Sequence, residues 1–423
     1  MSRRLTSVLR ACLAVALVLT ALAVPAAAQA RTASATFYDT PPSGWQAEAP
    51  GTLLKYTEVT RTWPSLHDLT AYRIMYVSLG ATDGFSHGGK VYETGMVYIP
   101  TAAAPAAGWP VLAWGHGTSG VGDSAAPSKY PWLYPEPKAW AWPEYADFVG
   151  KAARLGSIVT CPDYEGMGTP GMPTYLNIDS ESHAMIDAVR AARDLATQVS
   201  VPVSTAWAAA GHSQGGGAAI GAAQLAATYA PELDMRGTVA FAPAGARWSA
   251  RFLEKNMVGP DWYPYIGYMA WGMQAIDTQH QFDLRDIAGS WLRPYVSKAP
   301  RLYFDYWWIT VLQGHWTGGA YPKGSPLQPT LRQVFTKGWQ KNPVVRRFFA
   351  DWEVGQTKAT GPILLVQGTD DVLYKSLPAL RTQLSDAGDE AAYKILKGRD
   401  HDQAVVYGWA SAKAFLQQHL ITP

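Results

Sequence analysis

The sequence predicts an α/β fold: a mostly parallel sheet with helices on both faces and an inserted, aromatic-rich cap. Three observations carry this. Short β-rich runs alternate with helical patterns along most of the 423 residues. One of those runs enters a Gly/Ala-rich helix directly, through Gly211-His212-Ser213-Gln214-Gly215. One connection, from 243 to 361, is far longer than the loop–helix–loop such a fold needs, leaving roughly 90 surplus residues.

In chain order, residues 1–30 read as a secretory signal peptide. Arg3, Arg4 and Arg10 form a basic start, Leu13 to Val24 is apolar but short for a membrane span, and Ala28-Gln29-Ala30 is a small-x-small cleavage site. A secreted, extracellular domain over 31–423 is expected. The full chain has 35 basic and 33 acidic residues, a net charge of +2; losing three arginines and no acid makes it −1. No basic run marks a nucleic-acid partner. No later stretch is long and apolar enough to span a bilayer. Cys12 leaves with the signal and Cys161 remains alone, so no disulfide can form within the mature chain; the strand-like run around Cys161 predicts a buried, inert thiol.

After a polar leader to about residue 50, Tyr72 to Leu79 and Val91 to Ile99 predict antiparallel strands. Pro110 to Trp114 predicts another strand. Glu144 to Leu155 predicts a helix and Ser157 to Cys161 the strand after it. Met185, Val189, Ala192 and Leu195 share one helical face within Ser182 to Leu195. Thr205 to Ala210 and Gly237 to Ala242 predict strands. Beyond the long insertion, Pro362 to Gln367 and Tyr393 to Leu396 do likewise, around a helix at Leu377 to Ala387. A helix over Ala404 to Leu420 closes the chain.

The segment 211–215 fits G-x-S-x-G with a strand before it and small residues opening a helix after it. That is the setting in which a serine hydroxyl projects from a strained turn beside a helix N-terminus. A serine needs a base, and the base an orienting carboxylate. The chain order Ser, Asp, His is supplied by Ser213, by Gly368-Thr369-Asp370-Asp371 at the end of a strand, and by His401 after the next strand. Asp371 is the preferred carboxylate and Asp370 the rival. An oxyanion needs two N–H donors. One is expected from the backbone of Gln214, the other from Gly117 or Thr118 in Trp114-Gly115-His116-Gly117-Thr118. Gly120-Val-Gly122-Asp-Ser-Ala125 mimics a dinucleotide fingerprint but lacks an acidic ribose partner at the required spacing. No metal motif is present, and the chemistry calls for no cofactor.

Together these residues resemble the secretory lipase family, typified by a yeast lipase A. The resemblance rests on Gly115-His116-Gly117-Thr118-Ser119-Gly120 with Ala126-Pro127-Ser128, and on the stretch from Asp163-Tyr164-Glu165-Gly166 to Gly171 with Tyr175-Leu176. It also includes Gly211 to Gly216, Gly368 to Asp371, and His401. It implies an α/β-hydrolase fold with a cap inserted before the strand that bears the acid. The implied activity is hydrolysis of carboxylic esters, commonly acylglycerols. Two features depart from the family. Many relatives carry disulfides, and many have an apolar residue and a proline soon after the acid, where this chain has Tyr374-Lys375. Tyr164 and Glu165 either line the acyl pocket or hold the loop.

The cap is expected at about 248–352. It holds half of the 18 tryptophans of the chain, with Trp262, Trp271, Trp291, Trp307, Trp308, Trp316 and Trp339 well inside, and Tyr263, Tyr265, Tyr268, Tyr303 and Tyr306 besides. Such rings suit an apolar ester substrate, small-molecule or lipid, or transient contact with a lipid surface; they equally suit packing of the cap. Competing functions on this scaffold are an aromatic-ester (feruloyl-type) esterase, a peptidase or an acyltransferase. A lipid- or glycan-binding protein is the non-enzymatic rival.

Overall fold

The computed structural model describes residues 37–38, 40–81, 89–129, 142–245, 250–256, 263–277, 282–290, 293, 333, 335–351 and 353–422. The expected signal segment lies outside them. The chain divides into two units, 1–41 and 42–423, and all that follows concerns the second.

Its strands are β1 (Leu53–Glu58), β2 (Leu69–Leu79), β3 (Lys90–Pro100), β4 (Trp109–Gly115), β5 (Ile158–Pro162), β6 (Val203–His212), β7 (Asp234–Phe241), β8 (Ile363–Gly368) and β9 (Ala391–Leu396). They form one sheet in the order β1-β2-β3-β5-β4-β6-β7-β8-β9. The first three run antiparallel, and β3 joins β5 antiparallel. From β5 onward every pairing is parallel. The helices are α1 (Trp142–Gly156), α2 (Ile178–Gln198), α3 (Gln214–Tyr229), α4 (Ala250–Asn256), α5 (Tyr263–Ala275), α6 (Leu284–Ile287), α7 (Pro343–Asp351), α8 (Leu377–Ala387) and α9 (Gln403–Leu416).

The central strands are apolar throughout because both faces are covered. Val111, Ala113, Trp207, Ala209, Ala240, Ile363 and Leu365 point to one side, with α2, α3 and α8. Leu112, Trp114, Ala208, Ala210, Val239, Phe241, Leu364 and Val366 alternate with them and point to the other, with α1 and α9. Cys161 sits half-buried on β5, and desolvation pushes its thiol well above the usual range, which disfavours the reactive thiolate.

Two elements depart from the expectation. β1 was absent from it. This strand lies at the sheet edge, most of its residues are solvated, and its pairing with β2 slips between Leu53 and Lys55. The alternation that marks a half-buried strand is therefore lost. Helix α2 starts four residues before the predicted start at Ser182. Its true N-cap is Asn177, whose side chain accepts the Ser180 N–H.

The described part of the cap segment packs into the first core. Met269, Trp271, Phe335, Trp339, Val345 and Phe348 are buried with the sheet residues of that face. The Phe335 and Trp339 rings stack at 3.9 Å. Trp271 and Trp339 are thus packing residues. Trp262, Trp291, Trp307, Trp308, Trp316, Tyr303 and Tyr306 lie outside the described residues.

At the carboxyl edge of the sheet, Gly115 of β4 pairs with Gly211 of β6. Gly215 opens α3 against them. A Cβ on Gly215 would collide with the Gly115 carbonyl, and one on Gly211 with the Gly215 carbonyl. Gly215→Ala should therefore cost about 3 kcal/mol through overpacking. Gly89→Ala, where nothing lies within 4 Å of the added carbon, should leave the urea midpoint unchanged. Equal midpoints for both variants would refute the close approach.

Candidate active site

Strand β6 delivers Ser213 to a left-handed turn with φ 55° and ψ −115°. A non-glycine residue there is strained, and the surroundings hold it in place. The Ser213 N–H donates to the Phe241 carbonyl at 2.9 Å. The Ser213 carbonyl accepts from Gly216, Gly217 and Ala244 at 2.9–3.1 Å. Gln214 follows as the first residue of α3, so its N–H has no acceptor within the helix.

Strand β8 ends in the acid loop. His401 Nδ1 lies 2.7 Å from Asp371 Oδ2. The same oxygen accepts from Gln367 Nε2 at 2.6 Å, and Oδ1 accepts from the Leu373 N–H at 2.9 Å. Three donors favour the carboxylate. Burial opposes its charge, but His401 and these bonds hold Asp371 below the usual range. Burial also opposes charge on His401, yet Asp371 outweighs it and pushes the imidazole up to about 9. Asp370 is turned away. Its N–H donates to the Arg399 carbonyl and its side chain accepts from Thr369 Oγ1.

Ser213 and His401 line one cavity, together with Thr118, Tyr175, Leu176, Gln214, Ala244, Tyr265, Met269 and Leu373. Of the two expected oxyanion-loop donors, Thr118 reaches it, with its hydroxyl 2.7 Å from that of Tyr175. Gly117 is not among the lining residues, and a Cβ added to it would meet the Tyr145 hydroxyl and His212. The Gly215 N–H ties the loop down by donating to the His116 carbonyl at 3.1 Å.

Tyr164 and Glu165 are not among the lining residues. The Tyr164 hydroxyl donates to the His116 carbonyl at 3.1 Å. Glu165 Oε2 accepts from the Ala81 N–H at 3.2 Å and Thr174 Oγ1 at 2.9 Å. Asp163 accepts from the Ser128 N–H and from Thr94 Oγ1. The Asp-Tyr-Glu block therefore fastens the loops beneath the site.

Tyr265, one of the rings of the expected cap, reaches the cavity from α5. Other neighbours had no signal in the sequence. Met269, also from α5, looks like a core position. Glu181 is buried, and its Oε1 accepts from Gln214 Nε2 and the Leu176 N–H, both at 2.7 Å. Burial pushes this acid up to about 8. Gln367 could have been suspected, as a polar residue ending an otherwise apolar strand. Among the described residues, His212, His401 and Asp402 form one group whose ligand atoms lie within 4.8 Å of one another. Both nitrogens of His212 and Nδ1 of His401 already hold hydrogen-bond partners.

Comparison with known proteins finds lipases and esterases. A family model described as secretory lipase matches residues 146–288. In that stretch the sequence is similar to the secretory lipases. The matched stretch includes Ser213 but ends before Asp371 and His401. A Mycobacterium tuberculosis protein named as a probable inactive lipase is 24% identical over 371 residues, spanning 84% of this chain and 74% of its own. Among solved structures, a cell wall degrading esterase of Xanthomonas oryzae matches with TM-score 0.65 at 19% identity, over 88% of this chain and 99% of its own. Candida antarctica lipase A in its closed state matches with TM-score 0.65 at 16% identity, over 91% and 87%. These likenesses establish the α/β-hydrolase fold. No helix among the described residues is long and apolar enough to cross a membrane.

The His401 imidazole should titrate at about 9, protonated below and neutral above. Histidine-labelled ¹⁵N NMR measures this directly. Asp371→Asn should lower the midpoint by on the order of one to two units, whereas Asp370→Asn should leave it in place. A shift with Asp370→Asn alone would reassign the acid.

Proposed function

We propose that the protein is a secreted serine hydrolase that cleaves carboxylic esters through an acyl-enzyme intermediate. The observation that carries this reading is the Asp371–His401 hydrogen bond, made where His401 and Ser213 share one cavity. Ser213 Oγ attacks the ester carbonyl while His401 Nε2 takes its proton. Asp371 holds the imidazole in the tautomer with hydrogen on Nδ1 and stabilises the imidazolium. The backbone N–H groups of Gln214 and Thr118 receive the oxyanion. His401 then protonates the departing alcohol. Water, activated by the same histidine, attacks the acyl-enzyme and restores Ser213. No cofactor enters.

The cavity wall supports an apolar acyl group. Tyr175, Leu176, Ala244, Tyr265, Met269 and Leu373 offer carbon surface. Acylglycerols and other apolar esters are the proposed substrates. The Tyr175 and Tyr265 rings favour aryl-acid esters as the second class. Tyr374, Val406 and Tyr407 are exposed and follow the acid and the base in the chain, which supports transient contact with a lipid surface.

The name of the mycobacterial relative makes an inactive protein the alternative to be tested. A fluorophosphonate probe should label Ser213 in the native chain and fail in Ser213→Ala. That variant should lose about 10⁴- to 10⁶-fold in ester turnover. Absence of labelling in the native chain would favour the inactive reading. In the active case kcat/KM should rise about tenfold per pH unit until His401 is neutral, at about 9. A profile already flat from pH 6 would contradict the Asp371–His401 coupling.

A further inference from the structure

His212 stands beside the nucleophile and takes no part in the steps above, yet both its ring nitrogens are engaged. Its Nε2 lies 3.0 Å from the backbone carbonyl of His401. Its Nδ1 lies 2.6 Å from the Tyr145 hydroxyl. A carbonyl oxygen can only accept, so Nε2 carries the hydrogen. Nδ1 is then the bare acceptor, and the Tyr145 hydroxyl donates to it. The ring is buried and lies 4.5 Å from that of His401, centroid to centroid. Burial first, and the charge of His401 second, hold His212 down at about 3.

Three segments of the site converge on this pair. His212 precedes Ser213 at the end of β6. The carbonyl it grips belongs to the base. Gly117 of the oxyanion loop lies against it: a Cβ there would collide with the Tyr145 hydroxyl and come within 3.2 Å of His212 Nδ1. Tyr145 is itself held by α1, edge-on to Trp114 of β4 at 5.3 Å. The base loop has other anchors: the Ala404 N–H donates to the same His401 carbonyl at the longer distance of 3.4 Å, and the Thr369 N–H donates to the Leu396 carbonyl at 3.0 Å. Thr369 Oγ1 accepts the Gly398 N–H and the Arg399 carbonyl accepts the Asp370 N–H, both before His401.

We propose that Tyr145 and His212 form a positioning strut that ties the base loop to the nucleophile strand, with Gly117 seated on it. The inference rests on the serine hydrolase reading. Asp371 orients the imidazole through Nδ1, and His212 holds the backbone from which that imidazole hangs. The imidazole can then pass a proton between Ser213 and the leaving group without its loop drifting. A cationic His212 would set a second positive charge against the imidazolium that forms on His401. The tautomer with Tyr145 as donor supplies the hydrogen bond without that charge.

The experiment compares the full-length native chain with His212→Gln, His212→Leu and Tyr145→Phe. Gln retains a donor at the reach of Nε2; Leu fills the space without one. His212→Leu should lose about 30-fold in kcat with KM within about twofold, and His212→Gln should return to within about threefold of native. Histidine ¹⁵N NMR of the native chain should find His212 neutral with its hydrogen on Nε2 down to about pH 5. Native kcat in His212→Leu, equal losses in Leu and Gln, or a hydrogen on Nδ1 would each overturn the strut. Should His212→Leu fail to fold, Tyr145→Phe decides. The strut requires mixed His212 tautomers there with a fall in kcat, and an unchanged spectrum and rate would refute it. A native chain without fluorophosphonate labelling or ester turnover fails the hydrolase reading instead, and the His212 tautomer is still read.

Discussion

The strained turn at Ser213 is the constraint on which the rest of the site depends. A φ of 55° at a residue with a Cβ costs about 1–3 kcal/mol. Four backbone hydrogen bonds at Ser213 offset it. They need β7 beside β6 and Ala244 folded back over the turn. They also need α3 to start at once, which its run of glycines permits. Gly115, Gly211 and Gly215 then meet backbone to backbone, and this contact places the loop after β4 beside Ser213. A side chain on any of the three would separate strand from helix before it disturbed chemistry.

Around that turn, the ion pair with the closest contact is Asp371 with His401, at 2.7 Å. Asp371 is ionised because three donors surround its carboxylate. Its charge draws a proton onto His401 against the cost of burial. The neighbouring titratable groups shift toward neutrality. His212 is held uncharged, and burial raises Glu181 and Asp402 above the usual carboxylate range. In a site of low polarity a second charge would weaken the pair that orients the base. Glu181 meanwhile joins two walls of the cavity, since the side chain of Gln214 and the N–H of Leu176 end on the same oxygen.

Much of this was legible in the linear chain, and the failures have physical causes. The central strands announced themselves as apolar runs because both their faces are buried. The edge strand β1 was silent because most of it is solvated. Ser213 was visible because a strained turn demands small neighbours, and Gly211, Gly215 and Gly216 stand where the turn demands them. Asp371 and His401 were visible by order along the chain, but two adjacent aspartates follow β8 and no local rule separates them. Tyr145, Glu181 and Met269 carried no sign at all. Each sits in a helix whose pattern is that of ordinary packing.

The sequence by itself determined the layered α/β architecture, the turn at Ser213 and the position of His401 after the last strand. Those properties depend on residues close together in the chain, through period, small side chains and strand-to-helix order. Tertiary structure alone decided that Asp371 and not Asp370 meets His401. It also brought Thr118 and not Gly117 into the lining of the cavity, and made the Trp271 and Trp339 of the cap packing residues. Those outcomes turn on which side chains point toward one another across the carboxyl edge of the sheet. Direction at the end of a strand is set by the loops that pack against it, and those loops come from segments up to 189 residues apart, as in the His212–His401 contact.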